Sequence, residues 1–171
     1  MSSTQKQIVL LSALGGVGLT LVVWALLLWL GGYPGPIPEP GERVSLALRM
    51  AVGPAAFLLL IVQWVALSRF LTGAVDPLAD EPPRWRAVDM RVLLNTLEQT
   101  LIFIPLLLAT AMVVRADETA WLIALPIAFV LARILFWIGY RYATLSRAPG
   151  MAAGFFINIG MLGFVVVRFL A

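Results

Sequence analysis

Arg91, Asn95 and Glu98 recur at i, i+4 and i+7 within a stretch that is otherwise largely apolar. That spacing places them on one stripe of a helix, which Thr96 and Gln99 widen. A second set begins at Arg133, the only charged residue between Thr119 and Tyr140. Tyr140 follows it by seven residues on the same helical face, and Arg147 by seven more, beyond the membrane edge. The chain contains no histidine and no cysteine. That removes the commonest general base and metal ligand, every disulfide, every thiolate metal site and every cysteine nucleophile. Chemistry must therefore run through Arg, Tyr, Asn, Glu or a bound cofactor, and no metal site is expected.

The elements that position these residues follow from composition. Of 171 residues, 61% are hydrophobic and 12% charged, and the mean hydropathy is +0.97. One soluble core of this size cannot hide so much apolar surface, so much of it faces lipid. Five apolar segments stand out, over residues 7–31, 44–70, 90–114, 119–142 and 150–170. Each is near or above the roughly 20 residues needed to cross a bilayer. The first is longer than the apolar region of a signal peptide, and a turn (Gly31 to Pro36) rather than a small-residue cleavage site follows it. It is read as a retained span. The longest loop, 71–89, is polar and turn-rich, with Asp76, Pro77, Asp80, Glu81, Pro82 and Pro83.

The net charge of +3 is scattered, with no basic run that would suggest nucleic acid. Lys6, Arg69, Arg84, Arg86, Arg91, Arg141 and Arg147 fall on one side of the spans. Arg43, Arg49, Arg115 and Arg168 fall on the other. The richer side is expected to be cytoplasmic, with the N-terminus inside and the C-terminus opposite. In a prokaryote this would be the inner membrane. Trp24, Trp29, Tyr33, Trp85, Trp121, Tyr140 and Tyr142 lie near span ends, as interfacial aromatics do.

Spans three and four are joined by the short turn Arg115-Ala116-Asp117-Glu118, so they are antiparallel neighbours. At ~1.5 Å per residue Glu98 lies about 13 Å inside and Arg133 about 15 Å, so the two can meet at one level. A charge within hydrocarbon costs at least ~2.5 kcal/mol, so both should face protein. The expected arrangement is a polar cleft open to the cytoplasmic side, lined by Asn95 and Tyr140, with Arg91 and Arg147 at the mouth. Two accounts of the pair stand side by side. It forms the floor of a functional site, or it fixes helix registry. For Arg91 and Arg147 ordinary snorkelling at a span end is the stronger reading. Asn95, Gln63 and Asn158 read as interhelical glue, Gly15, Gly16 and Gly18 as close-contact sites, and Pro105 and Pro126 as kinks.

These motifs resemble those of the MAPEG family, the membrane-associated proteins in eicosanoid and glutathione metabolism. Arg91-x3-Asn95-x2-Glu98, followed by Phe103-Ile104-Pro105, is similar to the family's second-helix signature. Arg133-x6-Tyr140-x6-Arg147, with Gly139 before the tyrosine, is similar to its third-helix pattern. The resemblance covers about 44–170 and leaves the first span as an addition. It implies an all-α integral membrane protein, with a four-helix MAPEG-like domain over 44–171. An additional transmembrane helix and loop precede it over 1–43. It implies a homotrimer among membrane lipids, with glutathione as co-substrate at subunit interfaces. Arg91, Asn95, Glu98, Arg133 and Tyr140 would hold glutathione. Arg69 is a looser candidate for the same role. Arg147 would stabilise the thiolate. Gln99 stands where a tyrosine is common in the family, Phe136 where a hydroxyl or histidine is expected, and Leu94 where some members carry arginine.

The implied function is a membrane-bound glutathione-dependent transferase or peroxidase acting on lipophilic electrophiles. The alternative is a non-catalytic lipid-binding or scaffold member of the same fold. A small transporter is a third class, but such proteins show internal repeats and this sequence has none. Six matched polar positions favour the enzyme.

Overall fold

The computed structural model describes residues 3–31, 35–73 and 82–171, apart from the side chains of residues 3–6, 8 and 9. The Lys6 side chain, Tyr33, Asp76, Pro77, Asp80 and Glu81 lie outside the described residues. Among the described residues five helices are long and apolar enough to cross a membrane. They are α1 (Ser3–Leu30), α2 (Pro40–Leu71), α3 (Arg84–Val113), α4 (Trp121–Tyr142) and α5 (Ala148–Leu170). Short 3-10 turns at Ala116–Glu118 and Leu145–Arg147 precede α4 and α5. The five expected spans are all present.

Helices α2 and α3 begin four and six residues before their apolar segments, at Pro40 and Arg84. Proline sets both starts. Pro40 occupies the first turn of α2, where its missing N–H costs nothing, and Pro83 is the residue before α3. Pro54, Pro105 and Pro126 lie inside α2, α3 and α4, each of which continues past its proline. Gly73 closes α2 with a φ of +67°, the left-handed conformation that a helix stop favours.

Helices α2 to α5 form one bundle, in which α3 and α4 each touch the other three. Apolar attraction does little to join helices in lipid, so packing and polar contacts must. The stacked rings of Phe103 and Phe129, 4.2 Å apart, centre the core between α3 and α4. Asn158 of α5 donates to the Gln99 side-chain oxygen of α3 at 2.9 Å, which gives both amides an interhelical role. At the Glu118 end, Arg43 donates to the carbonyls of Ala111, Ile37 and Pro38. There too Arg168 pairs with Glu118 at 2.6 Å.

The extra helix α1 lies against α5 and α4. Gly16 makes this contact possible, because a Cβ there would sit 2.1 Å from the Pro149 carbonyl oxygen. Gly15 and Gly18 have open space around them, so of the three glycines only Gly16 serves close approach.

Candidate functional site

Arg133 is the largest wholly buried side chain of the chain's described part, at 0% exposure. It springs from the middle of α4 and reaches both neighbours. Nη1 donates to Asn95 Oδ1 on α3 at 3.0 Å, and Nη2 donates to the Gly150 carbonyl on α5 at 2.6 Å. The rings of Phe129 and Phe136 lie 5.6 and 5.2 Å from the guanidinium carbon, within cation–π range. Nε is buried without a partner.

Two glycines of α5 admit this side chain. A Cβ on Gly154 would lie 2.1 Å from Arg133 Nη2, and one on Gly150 would meet the backbone of Phe136. Sequence reasoning missed both. The signal was the small-x3-small spacing of Gly150 and Gly154, which brings helices close in membranes.

The floor of the cleft therefore differs from the expected ion pair. Among the described residues the ion pairs are Arg141–Asp89 and Arg168–Glu118. Among these residues no carboxylate pairs with Arg133, and Glu98 is exposed on the single chain. Helix rotation explains this. The buried line of α3 runs Val92, Thr96, Gln99 and Phe103, which leaves Asn95 half-buried on its flank. Arg91, Leu94 and Glu98 lie further round and face outward.

The second set forms a ladder along α4. The Phe136 and Tyr140 rings are 5.8 Å apart, and Arg147 lies over the Tyr140 ring at 4.5 Å. Gly139 permits the tight return of the chain, since a Cβ there would sit 2.2 Å from the Ser146 carbonyl oxygen. Arg133 and Arg147 thus end one continuous run of ring and guanidinium contacts, in which Tyr140 and Arg147 are half-buried. Arg69 lies half-buried in the last turn of α2, and Arg91 is exposed in the first third of α3.

At the same end of the bundle sits a node that sequence reasoning passed over. Asp89 is wholly buried and accepts from Trp64 Nε1 at 2.7 Å, Trp137 Nε1 at 2.9 Å and Arg141 Nε at 3.0 Å. It ties α2, α3 and α4 together, on the side of α3 away from Arg91.

A family model, the MAPEG family, matches residues 48–167, well over half of the chain. The chain belongs to the MAPEG family. The match begins within α2, so α1 lies wholly outside it. Membership places the chain in a family of membrane proteins associated with glutathione and with transferase- and peroxidase-type chemistry. No match is found among curated proteins. Within the MAPEG segment, α3 and α4 carry Arg91, Asn95, Glu98, Arg133 and Tyr140, and the turn before α5 carries Arg147.

Proposed function

We propose that the chain is a membrane-bound glutathione-dependent transferase or peroxidase that acts on lipophilic electrophiles as a homotrimer. The observation that carries this reading is Glu98, an ionisable residue exposed near the middle of the membrane-spanning helix α3. Facing lipid, it would cost at least ~2.5 kcal/mol. A second copy packed over this face removes that cost and makes Glu98 part of a seam between subunits. Arg91 lies on the same outward stripe and Asn95 on its inner edge.

The donor set suits glutathione, which brings two carboxylates, one ammonium and a nucleophilic thiol. Arg91 offers a guanidinium fork to a carboxylate, and Glu98 accepts from the ammonium. Arg133 has no exposed surface, so its part is to orient Asn95 and hold the amide toward the seam. Tyr140 offers its hydroxyl and supports Arg147 from below. Arg147 supplies the positive charge that lowers a thiol pKa, and no histidine is needed for that. Arg69 would close the carboxylate end. The arginine-rich end, with the N-terminus, faces the cytoplasm, and the electrophile arrives through the bilayer.

A second reading, a lipid-binding or scaffold member, is favoured by Gln99 and Phe136. Both turn inward, Gln99 to Asn158 and Phe136 to Arg133, and give the seam no hydroxyl. Titration of glutathione into detergent-purified protein separates the two. The enzyme reading expects binding together with a thiolate absorbance at neutral pH. Absence of both would overturn it in favour of the scaffold.

A further inference from the structure

Arg147 is the last residue of the 3-10 turn Leu145–Arg147, which leads into α5. This turn has little to hold itself in place. Thr144, Leu145 and Ser146 are exposed. Ser146 N–H donates to the Ala143 carbonyl at 3.1 Å, and Ala148 N–H donates to that of Leu145. Both are i→i+3 bonds, whose geometry is poorer than that of an α-helix. The Arg147 guanidinium joins no ion pair among the described residues and lies over the Tyr140 ring. Where its charge sits is therefore decided by the backbone on either side.

Three glycines bring other helices against that backbone. Gly139 of α4 lies against the Ser146 carbonyl, and Gly150 of α5 lies against the Phe136 backbone of α4, with no room for a Cβ at either. Arg133 ties the same turn of α5 by donating to the Gly150 carbonyl at 2.6 Å. These contacts fix the segment on its α4 side. The third glycine belongs to the helix outside the family match. A Cβ on Gly16 would meet the carbonyl carbon and Cα of Pro149 at 2.6 Å. Helix α1 also touches the 3-10 turn itself. Pro149 and Gly150 are successive residues, about 100° apart around α5. They are pressed by different helices, so the first turn of α5, which starts one residue after Arg147, is held between α1 and α4.

We propose that α1 is the outer half of a clamp that sets the position of the Arg147 guanidinium, with Gly16 as a positioning residue. This rests on the reading of Arg147 as the arginine that lowers the thiol pKa. The effect of a charge depends on where it is held, since at one dielectric it acts about twice as strongly at 4 Å as at 8 Å. Helix α1 thereby acts on the chemistry through backbone contact, without supplying a group to it.

The wild type, Gly16→Leu and Gly18→Leu test this in detergent. Gly18→Leu is the control, because its added side chain starts in open space. Hydrogen exchange reads the turn without any ligand. Amides of 144–148 should exchange about tenfold faster in Gly16→Leu than in the wild type, and at the wild-type rate in Gly18→Leu. Glutathione then reads the charge. Its thiolate absorbance, followed against pH, should titrate about one unit higher in Gly16→Leu, up to a tenfold loss of thiolate near neutral pH. Affinity for S-methylglutathione, which has no thiol to ionise, should stay at the wild-type value, whereas general damage to the site would lower both. In an Arg147→Ala background, Gly16→Leu should shift the titration no further. Where Gly16→Leu does not fold, Gly16→Ala puts one methyl group against the same Pro149 backbone and should move both readouts in the same direction. Turn amides that exchange alike in the wild type and the Gly16 variants would overturn the clamp. A thiolate titration that stays unchanged in them, or shifts equally in the Arg147→Ala background, would overturn its action through Arg147. A wild type that forms no thiolate would overturn the proposed chemistry instead, and the exchange rates would still decide whether α1 holds the turn.

Discussion

Asp89 on α3 and Arg141 on α4 form a two-point pair, Arg141 Nε donating to Oδ1 at 3.0 Å and Nη2 to Oδ2 at 2.5 Å. The carboxylate is wholly enclosed while the guanidinium side chain is 40% exposed. The pair therefore sits at the edge of the bundle with its acid inside. Trp64 and Trp137 complete the acid's coordination, and both rings also lie within 6 Å of the Arg141 guanidinium.

Removing the charge should strand these donors. Asp89→Asn leaves one acceptor oxygen and turns an NH₂ group toward N–H donors. A loss of about 3–5 kcal/mol in unfolding free energy is expected, the usual cost of breaking a buried pair. Denaturant titration in micelles measures it. In a double-mutant cycle with Arg141→Leu, the coupling should exceed ~1 kcal/mol. A coupling near zero would show that the two indoles, not the arginine, hold the acid.

Arg133 depends on the absence of a side chain at Gly154. Gly154→Ala places a methyl group 2.1 Å from Nη2, so the guanidinium or the helix must move. Overpacking of this kind costs about 1–3 kcal/mol. Gly163→Ala is the control, because a Cβ there meets nothing within 4 Å. A lower melting temperature for the first and an unchanged one for the second are expected. Equal melting temperatures would mean that Arg133 is not held by α5.

How much of this was legible in the sequence depends on which degree of freedom is asked about. Hydropathy located five spans because length and composition alone decide whether a segment can cross lipid. Spacing grouped Arg91, Asn95 and Glu98 because helical periodicity does not depend on neighbours. The rotation of α3 about its own axis was not legible. In lipid both faces are apolar, so nothing in the pattern says which side of the stripe turns inward. Hence Asn95, not Glu98, meets Arg133. Asp89 was hidden for a related reason: at a span end, a carboxylate looks like an ordinary boundary residue. Its four N–H contacts come from residues up to 52 positions away.

The backbone of α1 approaches that of Pro149 at one glycine, Gly16. Gly16→Leu cannot keep the backbone approach to Pro149, whereas Gly18→Leu meets open space. The first should release α1 and leave the four-helix bundle folded. The chain has no native cysteine, so a pair introduced at Leu21 and Phe156 reports the docking directly. Crosslinking should be lost in Gly16→Leu and kept in Gly18→Leu. Retention in both would mean that other contacts of α1 suffice to dock it.

Glu98 gives the sharpest division between assembly and binding. If it accepts from the glutathione ammonium, Glu98→Gln removes one charge-assisted hydrogen bond, worth ~1.5–3 kcal/mol, or about tenfold or more in affinity. The uncharged amide is cheaper to hold within the membrane, so the trimer itself should survive. Native mass spectrometry reads the oligomer, and calorimetry on the same sample reads the affinity. An intact trimer with weakened glutathione binding is the expected result. A trimer that falls apart, while the fraction still assembled binds glutathione normally, would make Glu98 a registry residue. The ammonium would then need another acceptor, and among the residues on the outward stripe of α3 there is none, because Arg91 can only donate and Leu94 does neither.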